Sequence, residues 1–436
     1  MVLSKPGASQ AHRKEPQTDS NGQAAAADTN RFDGLLGRLS RWFERSPLPE
    51  PQQLRSLYLA SPKDEAANQL AREWAKLYRH GEEDQRRSML TALAQAGAET
   101  AGPLEETAAR LFRRLYAQSD SLELMVQLRA DMIRWRKHEA NLASLEEPLA
   151  YLLSNWFDVG MLELRHINWD SPASLLEKLI QYEAVHEIRS WEDMRRRVAA
   201  DRRCYAFFHP RMSNVPLIFV EVAFAENMVA DVQTLLDPAQ PVDPLHKARW
   251  AIFYSISTTQ PGLRGISFGN FLLKRVIEEL NRELPKLKSF ATLSPIPGFT
   301  KWLDQQSEAD IKSLLGPLAN QAASENGATA VSWRQRLQEA VDSDASEPLQ
   351  RCGLRLAARY LTQLQDGQPL DAVARFHLGN GARIERLNWK ADLSVKGRKQ
   401  SCGMMVNYLY EPEQLDANRA QLEAGTPRVA RAVQKL

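Results

Sequence analysis

Cysteine is scarce: Cys204, Cys352 and Cys402 are the only three in 436 residues, and no two stand close together. That count speaks against a disulfide framework and fits free thiols in a reducing cytoplasm. Net charge is also small, +2 from 56 Lys and Arg against 54 Asp and Glu, unlike a chain built to coat nucleic acid. No stretch approaches the roughly 20 apolar residues of a membrane span. The longest apolar run, Leu217 to Phe224, is interrupted by Glu221 and has the length of a buried strand. None of the eight histidines has another at i+2, i+3 or i+4, and there is no HExxH, so no metal site is expected. The first thirty residues carry Lys5, Arg13 and Lys14 without the apolar core of a secretory signal, and Glu15, Asp19 and Asp28 make a poor presequence. The ending Gln434-Lys435-Leu436 differs from the peroxisomal Ser-Lys-Leu address.

What the chain does have is an ordinary globular balance, 43% hydrophobic and 25% charged. Its length implies two or three domains of roughly 100–200 residues each. Residues 1–30, rich in Ala, Gln, Ser, Asn and Gly, read as a disordered arm. Residues 31–188 read as an all-α helical bundle. Ser61-Pro62-Lys63-Asp64-Glu65 looks like an N-cap, a first-turn proline and first-turn acids. Leu70, Trp74, Leu77 and Tyr78 then form one stripe ending at Gly81, and Leu124, Leu128, Met132 and Trp135 form another. Exposed on a bundle, Trp74 and Trp135 would be buried between subunits, so a homodimer or homotetramer is expected. No chemistry is read in this half.

Glu187 to Arg197 reads as a further helix, and Arg195-Arg196-Arg197 as its solvated face rather than a phosphate site. From 189 to 436 the chain reads as a mixed α/β domain. Cys204 to Phe208, Leu217 to Phe224 and Ala251 to Ser257 have strand composition, Phe271 to Leu284 has helical periodicity, and Phe290 to Leu293 is another strand. The fold class is thus α+β multidomain, helical first and mixed α/β second.

The most informative stretch joins the third strand to the helix: Gln260-Pro261-Gly262-Leu263-Arg264-Gly265-Ile266-Ser267-Phe268-Gly269-Asn270. A glycine-containing turn running into a helix aims unpaired N–H groups at one point, with the helix dipole behind them. An anionic phosphate suits that place, and a merely structural turn is the alternative. The glycines follow neither G-x-G-x-x-G nor a Walker loop. The turn is similar to the acyl-coenzyme A pyrophosphate loop of the GNAT acyltransferase superfamily, Arg/Gln-x-x-Gly-x-Gly/Ala. Arg264 and Gly269 stand at its first and last positions, and Ser267 replaces the middle glycine.

Beyond the next strand, Ser294-Pro295-Ile296-Pro297-Gly298 makes a stiff corner in which Pro295 confines Ser294 to extended conformations. Such a serine either presents its hydroxyl to a ligand or bonds its own backbone. His377 lies in an apolar segment before the Asn380-Gly381 turn signal, where a core histidine and a catalytic one look alike.

Together these segments resemble the malonyl-coenzyme A decarboxylase family. The residues that carry the likeness are Cys204 to His209, Phe253 to Ser257 running into Arg264 to Gly269, and Leu293 to Trp302. Phe376-His377-Leu378 with Asn380-Gly381-Ala382, Asn388-Trp389 with Ala391-Asp392, and Ser401-Cys402-Gly403 with Asn407-Tyr408 complete it. The likeness spans most of residues 200 to 410. It implies a GNAT-like catalytic domain behind a helical oligomerisation domain, and conversion of malonyl-CoA to acetyl-CoA and carbon dioxide. It places the catalytic pair at Ser294 and His377 and the coenzyme turn at Arg264, Gly265, Ile266, Ser267, Phe268, Gly269 and Asn270. The family's acid in that turn is Ser267 here. No separate cofactor is implied, because coenzyme A is part of the substrate. On this reading Ser294 binds the carboxylate or nascent enolate and His377 donates the proton. Tyr408 and Tyr410 either line the pocket or simply pack a strand. A GNAT-type acyltransferase is the alternative activity.

Overall fold

The computed structural model describes residues 51–100, 102–266, 272–323, 332–343 and 346–436. The expected arm at 1–30 lies outside them. Among the described residues six helices come first: α1 (Pro51–Leu59), α2 (Glu65–His80), α3 (Glu83–Ala98), α4 (Leu104–Ser119), α5 (Leu122–Trp135) and α6 (Ala143–Trp156). The stripe on α2 is the bundle seam, but the helix starts three residues later than its sequence signal. Asp64 is the N-cap, its carboxylate accepting from the Ala67 N–H, and Ser61 stays outside. Trp74 is 0% and Trp135 5% exposed, so neither is the exposed ring on which self-association was argued. Both are consumed within the chain's own core, because neighbouring helices cover the stripes from which they project.

The helical stretch ends at Trp156, earlier than the boundary read at 188. Strand β1 (Glu163–Ile167) pairs antiparallel with β2 (Arg202–Phe208) as the edge of the sheet, and between them lie α7 (Ala173–Tyr182) and α8 (Trp191–Arg197). The triple arginine on α8 is also not a solvated face. Arg195 is exposed, but Arg196 and Arg197 are 8% and 2% exposed. Arg196 pairs with Asp201, and Arg197 donates to Glu221 at 2.6 Å. Burial is tolerated because each guanidinium meets a carboxylate.

The sheet continues through β3 (Ile218–Ala225), then α9 (Val232–Leu236) and β4 (Trp250–Thr258), then α10 (Leu272–Glu283), β5 (Ser289–Thr292) and β6 (Ser294–Pro295). Five helices follow: α11 (Phe299–Asp304), α12 (Glu308–Leu315), α13 (Pro317–Ala323), α14 (Trp333–Asp342) and α15 (Glu347–Thr362). A small hairpin of β7 (Leu364–Gln365) and β8 (Gln368–Pro369) leads to α16 (Ala372–Gly379), β9 (Arg383–Asn388), α17 (Val395–Ser401) and β10 (Met405–Tyr410). The main sheet has eight strands in the order β1-β2-β3-β4-β5-β10-β6, with β9 on β10.

Two features of this sheet position the site. Strands β4 and β5 pair in parallel, Trp250–Phe253 against Ser289–Thr292, so both point their C-terminal ends the same way. The register between β3 and β4 then shifts at Glu221/Val222, where Tyr254 forms a bulge. The last rung between β4 and β5 is the Leu293 N–H to the Phe253 carbonyl, 2.9 Å. Beyond it β4 continues alongside β3 only, whereas β6 pairs with β10. The two parallel strands therefore part, and the chain leaving each arrives at the same end of the sheet.

Candidate active site

Ser294 opens β6, and its side chain shares a face with Thr292 because strand residues two apart point the same way. Its hydroxyl lies 2.8 Å from Thr292 Oγ1 and 3.1 Å from His377 Nε2. The two residues are 83 positions apart in sequence and are brought together by α16. That helix is N-capped by Asp371, whose carboxylate accepts from the Val373 and Ala374 N–H groups. Its buried face is Ala374, His377 and Leu378, an ordinary i, i+3, i+4 stripe that happens to carry an imidazole.

The other ring nitrogen, Nδ1, lies 2.7 Å from the Tyr410 hydroxyl. Tyr408 stacks on the ring, centroids 4.5 Å apart and planes 27° from parallel. Both tyrosines project from one face of β10, a fully buried strand of aromatic and branched residues. The strand is tied beside the serine twice: the Tyr408 N–H donates to Thr292 Oγ1 (3.1 Å), and Asn407 Nδ2 donates to the Thr292 carbonyl (2.6 Å). One proton assignment runs the length of the row. Tyr410 O–H donates to Nδ1, Nε2–H donates to Ser294 Oγ, and Ser294 O–H donates to Thr292 Oγ1.

Burial dominates the electrostatics. His377 is 3% exposed, and loss of water pushes its imidazole down to about 3, so the ring is neutral at working pH. The same burial drives both tyrosine hydroxyls well above their usual range, so they stay protonated donors. A histidine titrating near neutrality is therefore not the resting state.

Of the sequence-singled turn, Arg264 and Gly265 are exposed and Ile266 is buried; Ser267, Phe268, Gly269 and Asn270 lie outside the described residues. Gly265 adopts φ +79°, a left-handed conformation that favours glycine. The turn leaves β4 and Ser294 follows β5, so the parallel pairing puts them at one sheet end. Two contributors had drawn no attention in the sequence. Thr292 was signalled only by its two-residue spacing from Ser294, and Arg129, which reaches the turn from α5, carried no signal at all.

A cavity of about 1030 Å³ lies nearby, lined by Pro297, Thr300, His186, Arg197, Lys396 and Asp392 among others, and neither Ser294 nor His377 borders it. It adjoins the apolar cluster of Val232, Ala291 and Leu293, whereas Phe290, Tyr408 and Tyr410 pack into the main core on the other face of the sheet. The candidate site is therefore assigned by its polar chain and not by volume. Among the described residues no group of three or more His, Cys, Asp or Glu side chains is placed to hold a metal, and no helix is long and apolar enough to cross a membrane.

Comparison with known proteins gives the family. Residues 160–436 match the family model described as Malonyl-CoA decarboxylase C-terminal domain, and residues 58–157 match the Malonyl-CoA decarboxylase N-terminal domain. The mitochondrial malonyl-CoA decarboxylases of Anser anser anser and Mus musculus are 36% and 37% identical over 71% of this chain. The matched region spans 65% and 66% of those curated relatives' own length. The crystal structure of malonyl-CoA decarboxylase from Cupriavidus metallidurans is 50% identical, with a TM-score of 0.80 over 88% of this chain and 98% of that one. The corresponding structure from Rhodopseudomonas palustris is 37% identical, with a TM-score of 0.74 over 89% and 100%. By both matched segments and by sequence identity, the chain belongs to the malonyl-CoA decarboxylase family.

Proposed function

We propose that this chain converts malonyl-CoA to acetyl-CoA and carbon dioxide, with Ser294 and His377 at the reacting carbon. The observation that carries the proposal is the 3.1 Å approach of the Ser294 hydroxyl to His377 Nε2, beside the end of a parallel strand pair. The phosphates of coenzyme A would lie against the turn from Arg264 to Asn270. The pantetheine amides would follow the edge of β4 beyond Phe253, where β5 has parted from it.

The chemistry needs no redox group, because the thioester is itself the electron sink. The bond between the carboxylate and the α-carbon breaks when it stands perpendicular to the thioester plane. Its electron pair moves into the enolate, carbon dioxide leaves, and the α-carbon then takes one proton. The protein must hold the carboxylate in that rotamer, remove water from it, and supply the proton. The Ser294 hydroxyl is free to turn from Thr292 to the carboxylate or the enolate oxygen. The imidazole is neutral at rest, and an incoming carboxylate within a few ångströms favours its charged form. Substrate binding is therefore coupled to uptake of one proton at Nδ1, with the Tyr410 hydroxyl turning to accept from it, and the Nε2 proton passes to carbon directly or through Ser294.

Cytoplasmic placement, consistent with three buried and unpaired cysteines, belongs to the same proposal. Self-association to a dimer or tetramer also does; it rests on the resemblance alone, and solution scattering reads the mass. The direct test mixes purified protein with malonyl-CoA and follows acetyl-CoA. Ser294→Ala and His377→Asn are each expected to lower turnover by about a hundredfold or more while the fold is kept. Full activity in both folded variants would remove the pair from the mechanism.

A further inference from the structure

Arg129 sits on α5, in the half of the chain that carries none of the reacting groups, and is 6% exposed. Its Nη1 donates to two carbonyls of the phosphate turn, Gly262 at 2.7 Å and Arg264 at 2.9 Å. Its Nε donates to Glu146 Oε1 at 2.8 Å, and Glu146, also buried, accepts from Arg136 at 3.1 Å on its other oxygen. The guanidinium is thus held on one side by α6 and grips the turn on the other. Gly262 brings the backbones together: a Cβ there would stand 1.9 Å from the Val126 carbonyl oxygen.

The consequence follows from peptide geometry. In a planar trans peptide the C=O and the following N–H point opposite ways. With the Arg264 carbonyl drawn inward to Arg129, the Gly265 N–H is sent outward, to the exposed side of the turn. Carbonyl oxygens would repel a phosphate, and outward N–H groups attract one. We infer that Arg129 is a positioning residue for the coenzyme, holding the Gly262 and Arg264 carbonyls averted and the Gly265 N–H presented before any ligand arrives. The inference rests on the turn being the phosphate site of the proposed function. It concerns a residue that never touches the substrate.

The test reads binding and turnover separately. Coenzyme A is titrated calorimetrically into the wild-type chain, Arg129→Met and Arg129→Lys. Malonyl-pantetheine, which lacks the pyrophosphate, serves as the second substrate. Coenzyme A affinity is expected to fall about tenfold or more in Arg129→Met and by less in Arg129→Lys, since a misplaced positioning group far from the chemistry acts on that scale. The kcat/KM for malonyl-pantetheine should stay within about twofold of wild type, because that substrate does not use the turn. Unchanged coenzyme A affinity in a folded variant overturns the inference. So does an equal loss with malonyl-pantetheine, which would make Arg129 a general packing residue. If Arg129→Met does not fold, Arg129→Lys carries the comparison alone. If the wild-type chain releases no carbon dioxide while coenzyme A affinity still falls in the variant, the proposed reaction fails and the role of Arg129 stands.

Discussion

The Tyr410 hydroxyl lies 2.7 Å from His377 Nδ1, on the side of the ring opposite Ser294, so the imidazole is held between a phenol and an alcohol. With its proton retained by burial, Tyr410 can donate to Nδ1, the assignment that puts the ring's own hydrogen on Nε2, facing the serine. Tyr410→Phe removes that preference. We expect kcat to fall about tenfold with KM little changed, and stability to drop by about 1–3 kcal/mol from the unpaired buried nitrogen. Steady-state kinetics and urea unfolding of the variant check both.

The neutral ring of His377 has a stability signature. Its unfolded pKa is near 6.5 and its folded value about 3, so between these the unfolded chain binds more protons. Stability from this group is therefore full above pH 6.5 and lost as pH falls towards 3. At pH 5 the loss from His377 is about 2 kcal/mol. His186, also buried and pushed down to about 3, acts in the same direction. Urea melts at pH 7 and 5 should show a smaller difference in His377→Gln than in wild type, and histidine NMR of the free protein should find the ring neutral at pH 5.

Thr292 is expected to matter through Ser294. Thr292→Val keeps the shape but removes the oxygen that accepts from the serine hydroxyl and from the Tyr408 N–H. The serine then loses its resting partner and β10 loses a tie. A several-fold drop in kcat and a loss of about 1–3 kcal/mol are expected, read by the same kinetics and unfolding. Unaltered kinetics would make Thr292 a purely structural neighbour.

Arg197 and Glu221 make a structural prediction on the opposite face of the sheet. Glu221 is wholly buried, and desolvation pushes its carboxyl up to about 7 despite the guanidinium beside it. Arg197→Met strands that carboxylate and should destabilise the protein by about 3–5 kcal/mol. Glu221→Gln, which keeps the volume and a hydrogen-bonding group, should cost less. Thermal unfolding ranks the two.

The fold was legible wherever periodicity was strong. The α5 stripe, the three strands before the turn and the stiff corner at Ser294 follow from local pattern, because side-chain spacing and proline act locally. The rest depended on partners distant in sequence. Arg196 and Arg197 read as solvated since polarity alone signals exposure, whereas Asp201 and Glu221 make their burial tolerable. Trp74 and Trp135 read as exposed because a single helix does not show what covers its stripe. The early start of the sheet was hidden in β1, a five-residue strand set among helices. At the site, Ser294 and His377 stood out by resemblance, but the neutral state of the ring required knowing how little water reaches it.

The close seat of Gly262 on the Val126 carbonyl bears on how this protein can be dissected. The two matched family segments meet between residues 157 and 160, which invites cutting the chain there. A fragment begun at that border would retain Ser294, His377 and Tyr410 yet forfeit Val126, Arg129 and Glu146, the wall behind its own loop. The border in sequence is therefore not a border in function.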